Sequence, residues 1–87
     1  MNEIHNRDIS WIDESSHVIA EVSAPSLGVG YELRHAVIIG KPILCLWRRQ
    51  KTNRLSAMIS GSEGIEIADY SILDEAKEKT RAFLERV

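Results

Sequence analysis

Apolar residues along the chain form segments of two kinds, which predict an alternation of helices and strands. Residues 3–14 show a rough helical periodicity, and residues 74–87 have the pattern of a charged amphipathic helix. Residues 17–22 and 42–47 are apolar almost throughout and too short for helices, which is typical of buried parallel strands. Residues 27–39, between them, have helical spacing. The first half of the chain therefore predicts helix, strand, helix, strand.

The second half of the chain continues this alternation with shorter elements. Residues 48–54 are predicted as a polar loop, residues 55–59 as a short helical turn, and residues 65–68 as an edge strand. Gly40 is the predicted terminator of the helix before it. The order predicts parallel β-α-β units packed as a three-layer α/β sandwich of the Rossmann-like type. Leu33, Ala36 and Val37 fall at helical spacing in the second predicted helix, and the predicted inner face of the last helix consists of Ala76, Phe83 and Leu84.

Length and composition limit the classes of protein to which the chain can belong. Its 87 residues form one domain at most, predicted over residues 1–87. A net charge of −2 argues against binding a nucleic-acid backbone, which normally needs a basic stripe, although backbone N–H groups could still hold one phosphate. No apolar stretch predicts a membrane span or a signal peptide, so we expect a cytoplasmic location.

Cysteine and histidine usage suggests no metal site and no disulfide. Cys45 is the single cysteine, and its apolar neighbours predict a buried thiol in a reducing compartment. The three histidines are scattered, without a spacing that indicates metal ligands. We therefore expect neither a metal nor another cofactor.

The segment from Ser23 to Glu32 follows the first predicted strand, where doubly wound sheets bind their ligands. Gly28 and Gly30 would allow another molecule to approach the backbone closely. The start of a helix favours a phosphate through its free N–H groups and partial positive charge, and Ser26 adds a hydroxyl donor.

Glu32 is the candidate nucleophile of this segment. It lies four residues after Gly28, on the same helical face, and the helix dipole would favour its ionised form. A solvated helix start without a ligand is the other interpretation. Two glycines in the first helical turns cost on the order of 1 kcal/mol each relative to alanine, which close approach of a ligand would explain.

The run AEVSAPSLGVGYEL, from Ala20 to Leu33, closely resembles the signature of the 2'-deoxynucleoside 5'-phosphate N-hydrolases, which belong to the nucleoside 2-deoxyribosyltransferase family. Residues 40–46 and 55–59 match the family in the same order, and Asp8 and Trp11 fit its preceding helix. The resemblance covers most of the chain and implies a flavodoxin-like sheet.

The resemblance also implies a reaction. Glu32 matches the glutamate that attacks the anomeric carbon, and Asp8 matches an aspartate that orients the sugar or assists protonation of the leaving base. A retaining mechanism of this kind forms a covalent sugar intermediate that water resolves.

Binding residues are implied in the same way. Ser26 and Gly28 match residues that hold the 5'-phosphate. Ser56 matches a serine that reaches the phosphate from the neighbouring subunit, so the resemblance implies a homodimer, and Ala57 and Met58 beside it belong to the same binding segment.

The chain departs from the family pattern at its start. Family members begin with a β-α-β unit and a glycine-rich loop, none of which precedes Met1. The missing strand would lie beside residues 17–22, and that edge would be open. We therefore expect a fragment, a split product that needs a separate N-terminal partner, or a relative that pairs with itself. Arg34 also stands where glycine is typical.

Several other interpretations follow from the same residues. The chain could be a non-catalytic nucleotide-binding or dimerisation module, or a transferase that exchanges bases on free nucleosides. Trp11 and Trp47 are predicted as core or interface anchors rather than base-stacking platforms. Residues 48–51 are predicted as a solvated basic loop, with attraction of anionic substrates as the alternative.

Overall fold

A computed structural model describes residues 2–24, 26–49, 59, 61 and 63–87, with side chains from Asn6 onward. This part of the chain contains three helices and three strands, which alternate over the first four elements. They are α1 (Asn2–Glu14), β1 (Val18–Glu21), α2 (Leu27–Ile38), β2 (Ile43–Arg48), β3 (Ile65–Tyr70) and α3 (Leu73–Arg86).

The strands form one parallel sheet in the order β1-β2-β3, which confirms the predicted α/β class. Val18 pairs with Ile43, and Ile43 pairs with Ile65. The central strand β2 is the most buried, because it has a neighbour on each side and helices over both faces. In the part of the chain described, β1 has no strand beyond it, so its outer edge is open.

Helices α1 and α2 cover one face of the sheet. The core there joins Ile12 of α1 and Leu33 and Ala36 of α2 to Ile43 and Cys45 of β2. Side chains alternate along a strand, so Leu44 and Leu46 point to the opposite face, where Leu46 borders α3. The two helical layers with the sheet between them give the predicted sandwich.

The junction between α2 and β2 anchors the end of α1. Gly40 adopts φ +76°, a conformation that glycine allows, and its N–H donates to the Val37 carbonyl at 3.1 Å, which ends α2 as predicted. The Lys41 ammonium then donates to the Ser15 carbonyl at 2.6 Å. His35 of α2 contacts Asp13 of α1 at 2.7 Å. These two contacts link the end of α1 to α2 and to the residues that follow it.

Two side chains are more exposed than a core position allows. Trp11 is 60% exposed, which leaves only the interface role of its predicted core or interface placement, and Leu84 is 42% exposed, so its predicted place on the inner face of α3 is wrong. Strand β3 extends to Tyr70, two residues further than predicted. Trp47 does pack against the core, as expected. The predicted turn at residues 55–59 lies outside the described residues except for Ile59, which is helical.

None of the helices in the described ranges combines the length and the apolar run that crossing a membrane requires.

Cys45 gives a direct test of the core. Burial raises the pKa of its thiol to about 11, so only about one molecule in ten thousand carries the reactive thiolate at pH 7. We expect alkylation by iodoacetamide to be negligible in the folded chain and complete within minutes in 6 M guanidinium chloride, measured by mass spectrometry. Rapid labelling without denaturant would contradict the placement of β2 in the core.

Candidate active site

Helix α2 begins with a side-chain cap at Ser26. Ser26 has extended backbone (φ −148°, ψ 127°), and its Oγ accepts a hydrogen bond from the Val29 N–H at 3.2 Å. This bond uses a lone pair of the oxygen, so the hydroxyl proton remains able to donate to a ligand. The N–H groups of the first turn have no carbonyl partner within the helix, which makes this end attractive to an anion.

Packing within the described chain does not require glycine at either position of the first two turns of α2. A Cβ added to Gly28 would meet the Ser26 Oγ at 3.8 Å, an ordinary contact, and one added to Gly30 would meet nothing within 4 Å. The helix therefore carries two costly residues without an internal reason. Close approach of another molecule to the helix backbone would be a physical reason for both glycines.

The structure brings the two candidate carboxylates to one depression. Asp8 of α1 and Glu32 of α2 both line a cavity of about 450 Å³, with Val18 and Ile19 of β1 as part of its wall. Asp8 is half-buried, and the Arg7 guanidinium lies 3.4 Å from its carboxylate. Glu32 is also half-buried, at the rim between solvent and core.

Ser26 and Gly28 are not among the residues that line this depression. They lie exposed at the start of the same helix, with Ser26 roughly 9 Å from Glu32 along the helix axis at 1.5 Å per residue. The predicted phosphate-holding and nucleophilic residues are thus placed in series along α2. The predicted group Ser56, Ala57 and Met58 lies outside the described residues.

A second depression, of about 240 Å³, extends the first along β1. It is lined by Glu21 at the end of β1 and by Val29 and Leu33 of α2, and it shares Glu32 with the larger cavity. Both depressions therefore follow the outer side of β1. The open edge of the sheet and the candidate site are the same region of the molecule.

Sequence reasoning did not place three lining residues of the larger depression in the site, namely Trp11, Ser15 and His17. Trp11 follows Asp8 by three residues, which puts both on neighbouring positions of one helix face. The Arg7 guanidinium lies 4.8 Å from the Trp11 ring centroid, close enough for a cation–π contact. The helical spacing from Asp8 was the signal that could have identified this tryptophan.

The basic segment after β2 is a local ion-pair cluster where it is described. Arg49 lies 3.4 Å from the Asp69 carboxylate and 3.6 Å from that of Glu75, and it donates to the Ser71 hydroxyl at 2.7 Å. These contacts favour a structural role for Arg49 over attraction of substrate. Within the described ranges, no group of three or more His, Cys, Asp or Glu side chains could hold a metal ion.

The open space at the two glycines gives a testable prediction. Replacing Gly28 or Gly30 with alanine should raise the free energy of unfolding by up to about 1 kcal/mol, because alanine favours the helix and neither Cβ would clash. Urea denaturation monitored by circular dichroism measures this change. A loss of stability in either variant would show that the packing around α2 differs from that described.

Comparison with known proteins gives a consistent result. No protein-family model matches the chain. The chain is 48% identical over 83 residues to 5-hydroxymethyl-dUMP N-hydrolase of Mus musculus, which covers 95% of this chain and 47% of that protein. The protein of the same name from Homo sapiens is 43% identical over 95% of this chain and 47% of its own length. The one from Danio rerio is 49% identical over 77% of this chain and 49% of its own length. The chain spans about half the length of the curated relatives it matches. It is therefore homologous to the deoxynucleotide N-hydrolases over about half of their length, as its motifs indicated.

Proposed function

We propose that the chain carries the nucleophile of an enzyme that hydrolyses the N-glycosidic bond of 2'-deoxynucleoside 5'-monophosphates, giving free base and deoxyribose 5-phosphate. The observation that carries this proposal is that Asp8 and Glu32 face one depression beside the capped start of α2. The names of the relatives support the same reaction class, since they are hydrolases of a modified dUMP.

In the proposed mechanism, the Glu32 carboxylate attacks C1' of the sugar as the bond from C1' to the base nitrogen breaks. The base leaves with the bonding electron pair and takes up a proton, which Asp8 assists while it orients the sugar. A water molecule then attacks C1' of the glycosyl ester, gives up a proton and releases deoxyribose 5-phosphate, so the Glu32 carboxylate is restored.

The 5'-phosphate is assigned to the start of α2. There the Ser26 hydroxyl and the backbone N–H of Gly28 would donate to phosphate oxygens, in the partial positive field of the helix. The phosphate is remote from the bond that breaks, so its binding energy would serve to place C1' against Glu32. The glycines along this turn would let the sugar phosphate lie close to the backbone.

The proposed site needs more polypeptide than the described residues. Ile19 is 38% exposed on β1, and the outer edge of that strand leaves backbone groups unpaired within the described residues. We assign this edge to an N-terminal strand, supplied by the same polypeptide or by a separate fragment. A homodimer would add Ser56, with Ala57 and Met58, to the neighbouring site. The free, buried Cys45 is consistent with a cytoplasmic location.

The central prediction concerns release of base. The chain, alone or mixed with the part of the Mus musculus relative outside the aligned region, should release base from 5-hydroxymethyl-dUMP or dGMP, as followed by liquid chromatography. Glu32→Gln should lower kcat by at least about a thousandfold, because the amide cannot form the ester, and Asp8→Asn by roughly a hundredfold.

The control for this measurement is Glu85→Gln, an exposed carboxylate on α3 that should leave turnover unchanged. Base release from the free deoxynucleosides at the same rate would favour a transferase-like enzyme without phosphate recognition. The proposal is refuted if the chain binds deoxynucleotides saturably but releases no base, both alone and when mixed with the part of the relative. That result would favour a non-catalytic module.

The dimer is tested by mixing two inactive variants. If Ser56 acts in the neighbouring site, a mixed dimer of one Glu32→Gln chain and one Ser56→Ala chain has one intact site and one site with both changes. Because about half of the dimers in an equimolar mixture are mixed, the mixture should recover about a quarter of the original activity. Sedimentation should show a species of twice the mass of the chain, or of the complex with its N-terminal segment. No recovery in a mixture that does exchange subunits would place Ser56 in its own chain's site.

A further inference from the structure

Side-chain hydrogen bonds join the carboxyl ends of the three strands, with Glu21 at their centre. One oxygen of the Glu21 carboxylate accepts the Ser23 backbone N–H, and the other accepts the Tyr70 hydroxyl from the far strand β3. The Ser23 Oγ accepts the Arg48 backbone N–H at 2.8 Å, which connects the same loop to β2. A continuous chain of hydrogen bonds thus crosses the whole sheet.

The register of the sheet makes this connection possible. Glu21 pairs with Leu46, and Arg48 pairs with Tyr70, so the Glu21 and Tyr70 side chains leave the same face on the two strands that flank β2. The long Tyr70 side chain reaches across the intervening strand. Partial burial raises the pKa of Glu21, but the hydrogen bonds from Ser23 and Tyr70 outweigh it and the pKa is lowered. The hydrogen bond to Glu21 raises the pKa of Tyr70, so at neutral pH a carboxylate faces a phenol.

The position of Glu21 along the chain gives this network a consequence for the candidate site. Glu21 is the last residue of β1, and the Val22 N–H makes a final ladder bond to the Leu46 carbonyl at 2.8 Å. From there the chain leads directly to Ser26 and the start of α2. Strand β1 is only four residues long and has a strand neighbour on one side in the described part of the sheet. The backbone hydrogen bonds between β1 and β2 would by themselves connect the following loop only to β2. The side-chain network of Glu21 connects this loop to both β2 and β3.

We propose that Glu21, held by Tyr70, is a positioning residue that fixes the start of α2 and thereby sets the preference for 5'-phosphorylated over unphosphorylated substrates. This inference rests on the proposed function, because it assigns the phosphate to Ser26 and Gly28. Glu21 acts through the loop and through Ser26, and it takes no part in the bond-breaking step. Glu21 also lines the smaller depression together with Glu32.

The test compares Glu21→Ala and Tyr70→Phe with the unaltered chain, in the active form of the protein. The measured quantity is the ratio of kcat/KM for a deoxynucleoside 5'-monophosphate to that for the same deoxynucleoside. Losing a hydrogen bond to a charged group should lower this ratio on the order of tenfold, mainly through KM for the phosphorylated substrate. Glu21→Gln should largely retain the ratio, because its amide can accept from Ser23 and donate to the Tyr70 oxygen.

The matched control is Glu66→Gln, which removes a carboxylate paired with Arg86 at 2.8 Å near the opposite end of β3. A general loss of stability would lower activity on both substrates together and leave the ratio unchanged. If the unaltered protein releases base but the ratio stays constant in Glu21→Ala and Tyr70→Phe, this inference fails while the proposed function stands. If the unaltered protein neither binds nor cleaves either substrate, both fail.

Hydrogen exchange provides a second readout that does not depend on turnover. The amides of residues 22–24 and 26–30 should exchange faster in Glu21→Ala and Tyr70→Phe than in the unaltered chain, whereas those in the centre of α2 should keep their protection. Equal protection of the loop in all variants would overturn the positioning role.

Discussion

Three parallel strands bring their carboxyl ends to one edge of a sheet, and in this protein that constraint determines which side chains can meet. Glu21, Arg48 and Tyr70 end their strands at this edge, and α2 begins there. Two groups separated by 49 residues in the chain are therefore in hydrogen-bond contact. An antiparallel arrangement of the same segments would have sent one of these ends to the opposite side.

The placement of α1 against α2 depends mainly on burial. Ile12 packs with Leu33 and Ala36, and full burial of one large aliphatic side chain contributes about 1.5–3 kcal/mol. The contact between Asp13 and His35 lies at the surface, where a pair of this kind contributes about 0–1 kcal/mol. Burial in the core thus contributes more than the surface pair to holding together the two helices that carry Asp8 and Glu32.

Local patterns predicted the bounds of most helices and strands to within one or two residues, because these bounds are determined by apolar runs and glycines in the sequence close by. The start of α2 after Ser26 and its end before Gly40 are examples in which the residue's own chemistry decides the boundary. The exposure of Trp11 and Leu84 could not be predicted in this way, since it depends on which neighbouring surface covers each helix. The bond between Glu21 and Tyr70 needs the strand order and register, which periodicity does not contain.

The coincidence of the candidate site with the open edge of β1 links assembly to chemistry. Unpaired strand edges are normally covered, and the edge of β1 that no strand covers among the described residues also forms a wall of the depression that both carboxylates line. A carboxylate nucleophile acts best where water is excluded and nearby dipoles are fixed. A strand paired with β1 would supply both conditions at once, by closing the depression and by ordering the backbone beside Glu32. In the proposed enzyme, the polypeptide that completes the sheet would therefore also complete the active site, and turnover would depend on that pairing.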